Sequence, residues 1–219
     1  MPLAVPVLFA LVTVVFFQRD FGRSRERWGR AFEAWRHAER IEVAGVGYRA
    51  HRVVAWDAHA PLWLALASRA TAWWVVQGLV RIGALVAEIP NLTDEPHRRV
   101  GLVPDGPSLV LVHGGLGFLV FGAIVGALRL RGRLARLERD PNEATTNLRA
   151  AFGVAIATSV VAASGGVVAC VAVVVQTPMN LYWLRNMAGS SAVYALCGWV
   201  VVGVLLRASK AIRGRHVGG

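Results

Sequence analysis

Apolar residues in this chain fall in long runs separated by short blocks rich in arginine. Four runs are Trp63 to Ile89, Ser108 to Leu128, Phe152 to Gln176 and Ser190 to Leu206, each near the roughly 20 residues that a spanning helix needs. A fifth, Leu3 to Phe17, is shorter. No basic residue precedes it and no small-residue cleavage site follows, so it reads as an uncleaved anchor and not as a secretory signal. The pattern predicts an all-α integral membrane protein with five transmembrane helices, N-terminus outside and C-terminus cytoplasmic.

Charge supports that orientation. Residues 18–60, 129–150 and 207–219 hold nine, six and four Lys/Arg, whereas the outer segments 90–107 and 177–189 hold Arg98, Arg99 and Arg185. Basic residues gather on the cytoplasmic side of membrane proteins, and nineteen against three agrees with all five assignments. The expected organisation is an anchor (1–17), a cytoplasmic amphipathic segment (18–60), a first hairpin with a cytoplasmic overhang (61–139), and a second hairpin with a basic tail (140–219). Hydrophobic residues make up 55% of the chain and charged ones 17%, which moves it away from soluble classes. The net charge of +11 would suit nucleic acid if it formed one accessible face. It lies in blocks between spans instead, so the expected partners are anionic lipids of the inner leaflet and no nucleic acid. The expected location is the plasma (inner) membrane, multi-pass and bacterial.

Between Arg19 and Arg40, Phe21, Trp28, Phe32 and Trp35 share one helical face, and Arg19, Arg23, Arg27 and Arg30 lie opposite. Such a helix fits the headgroup layer, arginines at phosphates with Trp28 and Trp35 below, or packs on the ends of the spans. Beyond the third span, Leu130, Leu134 and Leu137 continue its helical spacing among arginines, so that helix projects into the cytoplasm. Asp140-Pro141-Asn142-Glu143 reads as the cap and first turn of the next. Its overhang can pair with the last through Ala144, Leu148 and Ala151.

The two hairpins share features that suggest a tandem repeat. Spans two and four end in Ile89-Pro90-Asn91-Leu92 and Thr177-Pro178-Met179-Asn180-Leu181, and spans three and five carry Gly117 with Gly122 and Gly198 with Gly203. Small residues also recur every four positions, as Gly122 and Gly126, and as Thr158, Ala162, Gly166 and Cys170. Such spacing lets helices approach closely, within one chain or in a homo-oligomer.

Candidate chemistry is sparse. Gly106 to Gly117, including His113-Gly114-Gly115, resembles the strand and oxyanion turn of α/β-hydrolases, but no Gly-x-Ser-x-Gly follows to supply a nucleophile. No enzyme, metal site or cofactor is expected. His59 and His113 fall at opposite surfaces and read as interfacial residues. Trp73 and Trp74 read as lipid-facing, and Cys170 and Cys197 as small packing residues within apolar runs.

Arg81 is the anomaly. A central arginine costs about 2.5–3.5 kcal/mol on insertion scales and marks a functional site by default. Gln77, Arg81 and Glu88 follow one side of the second span, and Thr158, Ser159 and Ser164 could line a polar path beside it. The expected function is an oligomeric ion-conducting or transport subunit with Arg81 in or near the pathway. The alternative is a non-catalytic assembly subunit of a larger membrane complex, with Arg81 paired to a partner's carboxylate. The layout resembles the energy-coupling proton-channel proteins of bacterial stators in its outside N-terminus and long overhangs, without a residue-by-residue match to their pore motifs.

Overall fold

The computed structural model of the chain describes residues 11–12, 14–15, 21–44, 54–56, 58–93, 106–139, 146–176 and 182–214. Among them are five long helices: α1 (Phe21–Ala44), α2 (Ala60–Thr93), α3 (Gly106–Arg139), α4 (Thr146–Gln176) and α5 (Tyr182–Ala211). Two short strands, β1 (Val54–Trp56) and β2 (Ile212–Gly214), pair antiparallel with Val54 opposite Gly214. Among the described residues the regular structure is therefore helical apart from one two-stranded ribbon. Four helices, α2 to α5, are long and apolar enough to cross a membrane. The expected anchor, Leu3 to Phe17, lies mostly outside the described residues; of it Leu11, Val12, Val14 and Val15 are helical. The cap at Asp140 to Glu143 and Ala144 also lie outside them.

Each spanning helix packs on the next, and α5 closes back on α2. Facing residues give the directions. Gly78 and Gly117 of α2 and α3 meet Ile124 and Leu85, Gly126 and Gly165 meet Thr158 and Leu119, and Gly166 and Gly198 meet Ala195 and Ala163. All neighbours are thus antiparallel, and the spans form an up-down four-helix bundle. The end carrying the Arg129–Arg139 overhang is called the basic end here, and the other the far end.

Local sequence explains the elements. Pro61 occupies the first turn of α2, where a missing N–H is harmless, and Trp63 N–H donates to the His59 carbonyl at 3.2 Å. On α2 a buried stripe of Leu64, Ala67, Ala70, Trp74, Gln77, Arg81 and Leu85 recurs at three and four residues and faces the bundle axis. The outer side of the apolar stretches of α2 to α5 is apolar and exposed, as at Leu111, Phe118, Phe121 and Val125 of α3, which is what a lipid-facing surface requires.

Leu130, Leu134 and Leu137 of the overhang join Leu148 and Ala151 of α4 in the main core, which also takes in Trp28 and Ala31. Of the two dispositions open to α1, it takes the second: it packs on α2 and α3. Trp28 is wholly buried, Phe21 and Phe32 pack against the core, and Arg23, Arg27 and Arg30 are exposed. Trp28 thus meets protein, not lipid headgroups. Arg19 and the Trp35 side chain lie outside the described residues.

Candidate functional site

Arg81 is completely buried inside this bundle. It sits one turn beyond Gln77 on the axial stripe of α2, opposite the first turns of α5. Ser190 and Ser191 are adjacent on α5 and both face inward. Arg81 Nη1 donates to Ser190 Oγ at 2.7 Å and Nη2 donates to Ser191 Oγ at 2.8 Å. Each hydroxyl in turn donates to the Met187 carbonyl, at 2.9 Å from Ser190 and 3.0 Å from Ser191. A serine hydroxyl both donates and accepts, so the two serines relay the guanidinium charge onto one backbone carbonyl without leaving either hydroxyl hydrogen unused. Hydrogen bonds from a charged donor are worth about 1.5–3 kcal/mol each, so two of them offset the cost of immersing the charge.

Aromatic packing fixes the neighbourhood. Trp74, two turns before Arg81 on α2, stacks on Tyr194 of α5 with centroids 4.5 Å apart and planes 16° apart. The stack fits because position 198 is glycine: a Cβ there would stand 2.9 Å from Trp74 Cη2 and 2.7 Å from the Ala163 Cβ. Arg81 lies within electrostatic reach of both Tyr194 and His113. His113, fully buried on α3, has Nδ1 2.9 Å from the Leu109 carbonyl. A carbonyl only accepts, so Nδ1 carries the hydrogen and Nε2 is the ring atom left to meet another group. Among the described residues His113 Nε2, Tyr194 Oη and Trp74 Nε1 are buried without a hydrogen-bond partner. Each such atom costs about 1–3 kcal/mol.

The centre lies between two apolar layers. Leu109, Val173, Met187 and Ala188 form a buried cluster at the far end. Toward the basic end, Trp73, Val120, Ala123 and Ile124 belong to the main core. Gly78 lets α3 close in there, since a Cβ would stand 2.7 Å from Ile124 Cγ1.

The other residues singled out from sequence are not all gathered here. Gln77 is fully buried one turn from Arg81, while the Glu88 side chain lies outside the described residues. Thr158 donates to the Val154 and Ala155 carbonyls at 2.8 and 3.3 Å and faces Gly126, where a Cβ would stand 2.5 Å from its Oγ1. Ser159 is buried, with Oγ unpartnered among the described residues. It precedes Gly166, which faces Ser191, by seven residues, or about 10 Å along the helix. Ser164 is exposed and does not face the interior of this bundle.

Of the small residues, Ala162 is buried, and Gly126, Gly166 and Gly198 sit at close approaches. At Gly166 a Cβ would stand 3.1 Å from the Ser191 carbonyl oxygen. Gly122 and Gly203 face open space, and Gly117 makes only ordinary contact with Leu85. One reading is corrected: Trp73 and Trp74 face protein, not lipid, and His113 too is buried against protein. Ser190, Ser191, His113 and Tyr194 were not singled out by sequence as parts of the centre. The signal for the serines was a pair of hydroxyls at the head of an apolar run. No group of three or more His, Cys, Asp or Glu able to hold a metal occurs among the described residues, and Cys170 and Cys197 are free thiols. No known family model, curated protein or solved structure matches this chain.

Proposed function

We propose that this polytopic membrane protein is an ion-conducting or transport subunit whose pathway passes the Arg81 centre. The observation that carries the reading is a fully buried guanidinium, held by Ser190 and Ser191 and within electrostatic reach of His113 and Tyr194. Apolar packing would hold four helices together at lower cost than a buried charge. Immersed ionisable groups characteristically belong to substrate and ion paths. The positive charge selects an anion, and His113 Nε2 and Tyr194 Oη supply polar contacts beside it. Apolar layers close the centre at both ends, so this conformation is an occluded one and passage requires helices α2, α3 and α5 to separate.

In the assembly-subunit alternative, Arg81 would meet a partner's carboxylate. Burial of the guanidinium within a single chain counts against that pairing. Orientation follows the charge bias: the basic end is cytoplasmic, the far end is external, and the membrane is the inner membrane of a bacterium.

The test is flux in proteoliposomes, with chloride followed by an ion-selective electrode and protons by an entrapped pH dye. Wild-type protein is expected to pass chloride, and R81L to lose that flux while eluting from size exclusion as wild type does; proton flux alone would refute the anion selectivity. Oligomeric state is read from the same elution. If wild type passes neither ion and R81L instead fails to assemble, the transport reading is wrong and the assembly role takes its place.

A further inference from the structure

A cavity of about 650 Å³ opens at the basic end between α1, α2 and α3, within the about 300–1,000 Å³ range of small-ligand pockets. Its wall carries five guanidiniums: Arg27 and Arg30 of α1, Arg69 of α2, and Arg131 and Arg139 of α3. The only carboxylate among the lining residues is Glu138, and its Oε1 stands 3.1 Å from Arg27 Nε. Ser24 and Ser68 add hydroxyls, and the rest of the lining is alanine.

Three helices thus deliver guanidiniums to one open cavity. Five guanidiniums against one carboxylate give the space a net positive charge, which favours an anion among them. Guanidinium forks match the oxygens of a phosphate in pairs, and alanine walls leave room for a group of that size. Depth narrows the source. Arg69 stands near the start of the apolar run of α2, and Arg131 and Arg139 belong to the arginine-rich overhang, a placement that suits headgroup phosphates.

We propose that this cavity binds a phosphate-bearing anion, supplied by an anionic phospholipid headgroup, and that the bound phosphate fastens α1 to α2 and α3. The inference does not depend on the transport reading. Arg69 and Arg81 are twelve residues apart on α2, about 18 Å along the helix.

The experiment uses the full chain in a neutral detergent, with thermal unfolding followed by tryptophan fluorescence. Short-chain phosphatidylglycerol, phosphatidylcholine of equal chain length and inorganic phosphate are titrated separately. Phosphatidylglycerol is expected to raise Tm saturably, as a ligand of the folded state must, and phosphatidylcholine to leave it unchanged. R30Q/R131Q, both exposed side chains of the wall, is expected to weaken the phosphatidylglycerol response at least tenfold. R129Q/R207Q, exposed and outside the cavity, is expected to respond as wild type does. If inorganic phosphate alone gives the full shift and R30Q/R131Q abolishes it, the phosphate site stands and free anion replaces lipid as its source. Should R30Q/R131Q not fold, R139Q takes its place, with about threefold weakening expected. Absence of any saturable shift, a shift undiminished in the cavity variant, or equal loss in R129Q/R207Q overturns the proposal.

Discussion

Removing both hydroxyls that hold Arg81 isolates the energetics of the centre. In S190A/S191A the guanidinium loses acceptors at 2.7 and 2.8 Å and stays buried. At about 1.5–3 kcal/mol for each bond from a charged donor, the variant should lose about 3–6 kcal/mol of stability. R81L behaves differently, because it removes the charge together with its need. Ser190 and Ser191 keep their bonds to the Met187 carbonyl, so no hydroxyl hydrogen is orphaned. Replacing a buried charged group by an apolar one is often close to neutral, and R81L should stay within about 2 kcal/mol of wild type. In the R81L background the serine substitutions should cost less than about 1 kcal/mol, since they then remove only local bonds within the helix. The coupling between the two sites should therefore exceed about 2 kcal/mol. Reversible unfolding of the four proteins in mixed detergent and dodecyl sulfate micelles, followed by tryptophan fluorescence, measures it. If the serine substitutions cost the same in both backgrounds within about 0.5 kcal/mol, the sites are independent and the argument fails.

The glycines offer a contrast within one motif. G198A pushes a Cβ to 2.7 Å from Ala163 and 2.9 Å from Trp74 and should cost about 1–3 kcal/mol; G203A and G122A, which face open space, should unfold at or above the wild-type midpoint. W28A removes a wholly buried indole at a cost of about 3–5 kcal/mol, and limited proteolysis should then cut α1 first while α2 to α5 stay intact. E138Q breaks a half-exposed ion pair with Arg27 and should shift stability by less than about 1 kcal/mol, by the same unfolding assay. For orientation, single cysteines at Arg185 and Ser209 in a background lacking Cys170 and Cys197 should label with a membrane-impermeant maleimide from outside and inside respectively; the reverse result would invert the topology.

The spans were legible in sequence because crossing hydrocarbon demands about twenty apolar residues in a row, and α2 to α5 meet that demand directly. The inward face of α2 was partly legible, since Gln77 and Arg81 are polar residues with few places to go in a membrane. Trp74 was not, and the reason is physical. In water hydrophobicity separates inside from outside, but lipid is as apolar as a protein core, so a tryptophan satisfies either side. The partner of Arg81 was hidden for another reason. Ser190 and Ser191 lie 109 and 110 residues further on, and helical periodicity specifies a face within one helix without saying which helix it meets. The same limit applies to Gly122 and Gly126, which share a spacing while only the second sits at a helix crossing.

The small ribbon at the basic end ties together parts of the chain made at very different times. Val54 emerges early in synthesis, and Gly214, its partner in the register, about 160 residues later. At about 5–20 residues per second, the segment following α1 waits many seconds for its complement, long enough for α2 to α4 to be inserted. Pairing can form only after α5 has been made. A chain lacking Ile212 to Gly214 would retain helices α2 to α5 and the Arg81 centre, yet leave Val54 to Trp56 as an unpaired strand edge.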